Sequence, residues 1–179
     1  MNPNLLAAPI ALPLFVAALL LAVSRWGGWR HIELQRWLTA GALVLNLGAA
    51  LALAQYTLSG HRLVLQMGGW IAPFGITLIA DGLTAILLSL TAIVALAVLP
   101  FAIATVDLHR ERMAFYPLFL VLVLGVNGAF LTGDFFNLYV FFEVLLMASF
   151  VLLTVGGQPA QTHAGIRYVV LNLLGSLVF

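Results

Sequence analysis

Apolar residues run in long stretches along this chain, and short intervening segments carry nearly all of the charge. Five such stretches are Leu5–Val23, Trp37–Tyr56, Leu83–Ala104, Met113–Leu131 and Phe135–Val155. The hydrocarbon core of a bilayer takes about 20 residues of helix, so each reads as a membrane-spanning helix, the third starting as early as Ile76. A sixth run opens at Ala164 and reaches Phe179, a length of 16 residues with no polar anchor or basic flank at its end. It reads as a span cut partway. The expectation is one membrane domain over residues 1–179, the amino-terminal part of a longer subunit. The spans are 5–23, 37–56, 76–104, 113–131, 135–155 and, in part, 164–179. Met1 to Asn4 hold no charge and arginines follow the first stretch, the reverse of a secretory signal, so the first helix is permanent.

Composition changes the picture only by removing alternatives. The chain is 64% hydrophobic and 7% charged, whereas an ordinary soluble domain is about a quarter charged. Too little charge is present to cover a sphere, so most of the solvent is lipid. No cysteine is present, which excludes disulfides, thiolate metal sites and cysteine nucleophiles. No metal-ligand spacing, phosphate loop, Ser/His/Asp arrangement or pair of mid-membrane histidines is found, so no cofactor and no soluble-enzyme chemistry is expected. The few scattered basic residues give no basis for binding nucleic acid.

All seven basic residues are arginines. Arg25, Arg30, Arg36, Arg110, Arg112 and Arg167 fall on one side of the predicted membrane, and Arg62 alone on the other. Because basic loops stay in the cytoplasm, the amino terminus is expected outside. Trp26, Trp29, Trp37 and Trp70 suit interfacial positions. The outer loop, Leu58 to Thr77, holds the turn formers Gly68-Gly69 and Pro73-Phe74-Gly75, and Leu63–Met67 has extended character. A small hairpin or ordered loop and a plain linker are both compatible with it.

Among the acids, Glu33, Asp107 and Glu111 share loops with arginines and read as solvated. Asp134 follows Thr132-Gly133 as a natural helix cap. Asp81 stands at the start of the third run, as a cap or a shallow transport group. Glu143 differs, because it lies about 3 Å from the midpoint of its span. An ionised carboxylate there costs at least a few kcal/mol unless paired, hydrated or protonated. Its neighbours in sequence are apolar, so the expectation is a partner on another helix or a neutral carboxyl with a raised pKa. Both states suit a proton relay; the plainer use is a protonated glutamate donating an interhelical hydrogen bond. Tyr116 and Asn127 share one face of their helix, and Thr154 shares the face of Glu143. Tyr168, Asn172, Gly175, Ser176 and Phe179 form one stripe. Such stripes pack helices closely or line a hydrated path, and Gly125 and Gly128 favour close approach. His31, His61 and His109 read as solvated and His163 as interfacial.

The segment from Leu131 through Gly133-Asp134-Phe135-Phe136-Asn137 to Phe141-Phe142-Glu143-Val144-Leu145-Leu146-Met147 closely resembles the D-type subunit of the Mrp multisubunit sodium/proton antiporters. Gly68-Gly69-Trp70, Pro73–Ile76, Asp81–Leu83, Leu152–Gly157 and Arg167–Ser176 resemble the same family. It is similar in turn to the antiporter-like membrane subunits of respiratory complex I and of membrane-bound hydrogenases. The resemblance implies an all-α integral membrane protein of 14 helices with inverted five-helix repeats, of which this chain holds five complete helices and a truncated sixth. It also implies that Glu143 is the fifth-helix carboxylate of the proton path, with Asp81, Asp134, Asn172 and Tyr168 as subsidiary candidates. Lysines on the family's seventh and eighth helices would be its charge partners. The implied partners are other membrane subunits, the lipid bilayer, protons and sodium or another monovalent cation. The expected function is a proton-translocating antiporter subunit in the cell membrane, a transporter component and not an enzyme. Its rivals are a homologous subunit of a redox-driven complex and a non-transporting scaffold.

Overall fold

The structure is a computed structural model that describes residues 3–27, 32–70 and 74–178, without the side chains of residues 25–27. A 3-10 turn, Pro3–Ala7, leads into α1, Ala8–Gly27. It is followed by α2, Ile32–Leu58; β1, Leu63–Gln66; β2, Thr77–Ala80; α3, Gly82–Thr105; α4, Leu108–Glu111; α5, Phe115–Leu131; α6, Phe135–Thr154; and α7, Pro159–Val178. Among the described residues, Pro3–Ser24, Ile32–Leu58, Gly82–Thr105 and Phe135–Thr154 are long and apolar enough to cross a bilayer. Helix α5 is apolar and 17 residues long. The chain is a multi-pass α-helical membrane protein.

Hydropathy places these helices correctly but misplaces their ends. Helix α7 begins at Pro159, five residues before the predicted Ala164. Proline suits a first helical position, where its fixed φ fits and its missing N–H is not needed. Gln161, Thr162 and His163 make this first turn polar, so a search for apolar residues passes over it. Helix α2 likewise begins at Ile32, not Trp37, and its extra turn carries Glu33 and Arg36. The third helix does not start at Ile76. Thr77–Ala80 is a strand, and Asp81 caps α3 by accepting the Thr84 N–H at 2.9 Å.

The loop between α2 and α3 forms a two-stranded hairpin on the otherwise helical frame. Strands β1 and β2 pair antiparallel, with Leu63 opposite Ala80 and Gln66 opposite Thr77. Leu63, Leu78 and Ala80 are buried and join Leu6, Leu53, Leu88 and Leu131 in one apolar cluster. Gly133 N–H donates to the Thr77 carbonyl at 2.8 Å, tying the hairpin to the turn between α5 and α6. A second cluster, with Leu20, Leu43, Leu99, Tyr116 and Leu120, joins α1, α2, α3 and α5 toward the opposite end.

Helix α5 is the hub, and its two glycines explain its fit against α6. A Cβ on Gly125 would lie 2.8 Å from Leu145 Cβ and 2.9 Å from the Leu145 backbone nitrogen. One on Gly128 would enter the Phe141 ring. The expected close approach is present, and it fixes α6 and therefore Glu143. Tyr116 and Asn127 are both fully buried on α5. Asn127 Nδ2 donates to the Pro9 carbonyl at 2.9 Å and meets Asn46 Oδ1 at 3.4 Å. Pro13 lies inside α1. It has no N–H to give the carbonyl four residues earlier, and Asn127 supplies that missing donor.

A further expectation fails at Glu111. Glu111 is not solvated but 1% exposed. Asp107 caps the single turn α4 through the Arg110 N–H, which folds Glu111 inward. There Arg36 Nη2 donates to both carboxylate oxygens, at 3.0 and 2.9 Å, and the Tyr116 hydroxyl donates at 2.6 Å. These charge-assisted bonds replace the lost water. Glu33, by contrast, pairs with Arg36 from a largely exposed position. Trp37 and Trp70 are exposed, whereas Trp29, Arg30, His31 and Pro73 lie outside the described residues.

Candidate functional site

Helix α6 carries the site. Its start is fixed by Asp134, whose Oδ1 accepts the Asn137 N–H at 2.6 Å. Thr132 Oγ1 accepts from Asn137 Nδ2 at 3.0 Å and locks the cap from the side. Apolar residues then fill two turns and bring Glu143 to the middle of the helix. The α5 glycines press one side of α6, and α7 packs on another. Gly165 on α7 faces Thr154 and Phe150 without room for a side chain.

Glu143 is partly buried, and its Oε1 is fully enclosed without a hydrogen-bond partner among the described residues. It borders two spaces. The first, between α6 and α7, is a cavity of about 10 Å³ lined by Glu143, Leu146, Met147, Tyr168, Asn172 and neighbours. That is room for about one water molecule. The second, about 460 Å³ and open, lies between α5 and α6 beside Leu118, Val121, Val144 and Val151. Among the described residues, no cationic side chain lines either space. An acid is thus placed in a largely apolar wall with a water-sized cavity on one flank and, among the described residues, no counter-charge lining it.

The predicted residues separate into two groups. Tyr168 and Asn172 meet Glu143 at the small cavity. Asn172, Gly175 and Ser176 continue into an adjoining space of about 250 Å³ with Tyr139 and Phe142. Phe179, the last member of that stripe, lies outside the described residues. Asp134 stands nine residues before Glu143, roughly 13 Å along the helix axis. Asp81 caps α3 beside the hairpin, with its carboxyl held below the usual range by the Thr84 N–H. Both aspartates act as helix caps, and neither borders the Glu143 cavities. Thr154 donates to the Phe150 carbonyl of its own helix. Sequence reasoning missed Ser149, whose hydroxyl lies 3.0 Å from that of Tyr168. The available signal was a hydroxyl inside an apolar span, six residues past the acid. Among the described residues, no group of three or more His, Asp or Glu side chains is placed to hold a metal.

No protein-family model matches the chain. The D-type subunit of the Na(+)/H(+) antiporter of Alkalihalophilus pseudofirmus is 41% identical over 176 residues, covering 98% of this chain and 35% of that protein. The chain belongs to the family of antiporter D-type subunits. A chain of the Mrp complex from Dietzia sp. DQ12-45-1b superposes with a TM-score of 0.87 at 31% identity, over 98% of this chain and 32% of that one. A chain of the membrane-bound sulfane sulfur reductase, an archaeal respiratory membrane complex, superposes equally well at 26% identity, over 98% of this chain and 35% of that one. The chain spans about a third of the length of the curated relative it matches. The helical frame is therefore common to antiporter and respiratory assemblies, and the sequence itself lies nearer the antiporter relatives.

Proposed function

We propose that this chain contributes a mid-membrane proton-path carboxylate, Glu143, to a multisubunit antiporter that exchanges protons for sodium or another monovalent cation. The observation that supports this reading most directly is the enclosed, unpartnered Glu143 Oε1 beside a water-sized cavity. An apolar wall favours the neutral form of a carboxyl group, and an approaching cation favours the ionised one. Proton uptake neutralises Glu143 and suits the dry arrangement. A cation brought close from another segment favours the carboxylate and releases the proton. Tyr168 and Asn172 border the same cavity and belong to this path. Asp81 and Asp134 fix the starts of α3 and α6. The partners in this reading are other membrane subunits of the antiporter, with the amino terminus outside the cell membrane.

Glu143→Gln in the full-length protein within its complex tests the proposal. Glutamine keeps size and hydrogen bonding but cannot ionise. Cation-driven proton movement in everted vesicles is expected to fall to background, with assembly intact on a native gel. Glu143→Asp is expected to retain partial activity. Normal exchange by an assembled Glu143→Gln complex would sink the reading in favour of a scaffold.

A further inference from the structure

Ser149 and Tyr168 form a hydroxyl pair across the α6–α7 interface, with their oxygens 3.0 Å apart. A serine hydroxyl has one proton and two lone pairs. Ser149 directs its proton at the Leu146 carbonyl, 2.8 Å away. Tyr168 is therefore the donor between the two side chains, and its oxygen is left with acceptor capacity alone. Tyr168 also borders the small cavity that it shares with Glu143 and Asn172. Asn172 commits an amide N–H to the Tyr168 backbone carbonyl at 2.9 Å. An acceptor suits a protonated carboxyl, which has an O–H to donate directly or through one water. It does not suit a carboxylate, which needs a donor. If Tyr168 turns its O–H away from Ser149 and into the cavity, the preference reverses. The switch is rotation of one hydroxyl.

We propose that Ser149 is a positioning residue for the proton step, holding the Tyr168 hydroxyl as an acceptor toward Glu143 so that the carboxyl is favoured in its loaded, protonated form. Loss of the Ser149 contact turns Tyr168 into a donor for the carboxylate as the proton departs. Tyr168 keeps its own proton throughout. The proton that moves is the carboxyl's; it passes to water, one O–H bond breaking as another forms. Among the described residues, the polar groups that line the spaces beside Glu143 are Tyr168 and Asn172 from α7, and α5 brings the apolar Leu118 and Val121. The inference rests on the proposed role of Glu143.

The test is the pH profile of exchange by the full-length, assembled complex in everted vesicles. Ser149→Ala frees the Tyr168 hydroxyl to serve the carboxylate, so proton loading needs a lower pH. The half-maximal point is expected to move to acid by about half a unit to one unit, the equivalent of one ordinary hydrogen bond. Ser149→Thr keeps a hydroxyl and is expected to follow the wild-type profile. In a Tyr168→Phe background, Ser149→Ala is expected to cause no further shift. A Ser149→Ala profile that superimposes on wild type overturns the proposal, as does a Ser149→Thr shift of equal size. Failure of Ser149→Ala alone to assemble assigns the contact to packing and overturns it too. If Glu143→Gln is inactive while Ser149→Ala is unshifted, only the positioning role fails. If Glu143→Gln remains active, the proposed role of Glu143 fails whatever Ser149 does.

Discussion

The buried side chain of Asn127 answers a deficit elsewhere in the chain. Pro13 leaves the Pro9 carbonyl without its helical donor, and Asn127, 118 positions from Pro9, fills the gap. Such interhelical bonds contribute about 0.6 kcal/mol on average and about 1.7 at most. Asn127→Leu is therefore expected to lower the thermal stability of the purified complex by an amount in that range. In a Pro13→Ala background, residue 13 can donate to the Pro9 carbonyl itself, so the same substitution should cost less than half as much. Detergent-solubilised thermal unfolding of the four-member mutant cycle measures this, and equal costs in both backgrounds would refute the pairing. The same long reach explains why Glu111 was misread from sequence. Its partner Arg36 lies 75 positions away, and a local charge pattern of acids beside arginines looks solvated whether or not a distant helix covers it. Glu143 was legible because its context is local: apolar residues on both sides and near-central depth need no knowledge of the fold. Ser149 was not, since a lone serine in a span commonly bonds its own helix and gives no sign of a partner across the interface.

At the scale of elements, the spans were readable because bilayer thickness sets their length. Their polar first turns were not, because water-facing helix and loop have the same composition. The hairpin was readable only as a possibility, since its pairing depends on Leu78 and Ala80 meeting a core that the loop sequence does not contain. The glycines of α5 are the sharpest link from sequence to packing, and they differ in kind. Gly128 faces the Phe141 ring, a side chain that can turn away. Gly125 faces the Leu145 backbone, which moves only if α6 moves. Gly125→Ala is accordingly expected to separate α5 from α6 and reduce both assembly and exchange. Gly128→Ala is expected to be milder, and Phe141→Ala to rescue it, whereas truncating Leu145 does not rescue Gly125→Ala. Native-gel assembly of the single and double variants reads this out. Equal rescue at both positions would show that the backbone contact does not set the helix spacing.

Across the whole molecule the two ends are chemically distinct. One end holds the β1–β2 hairpin, pinned to the α5–α6 turn by the Gly133–Thr77 bond. The other holds the buried Arg36–Glu111–Tyr116 group, with Arg110 against the Gly156 turn that follows α6. Arginine-rich loops resist translocation, so the second end is expected to face the cytoplasm and the hairpin to face outside. Orientation decides the sense of the proposed proton path, since Tyr168, Ser149 and the α6 terminus lie toward the arginine end from Glu143. The absence of cysteine makes the test clean, because every introduced thiol is the sole one in this chain. His109→Cys in α4 and Ser59→Cys before β1 both lie at exposed positions. In intact cells a membrane-impermeant maleimide is expected to label position 59 and spare position 109. In everted vesicles the pattern should invert. Labelling of position 109 from outside would reverse the orientation, place the hairpin in the cytoplasm, and make the Ser149–Tyr168 pair the outward arm of the path.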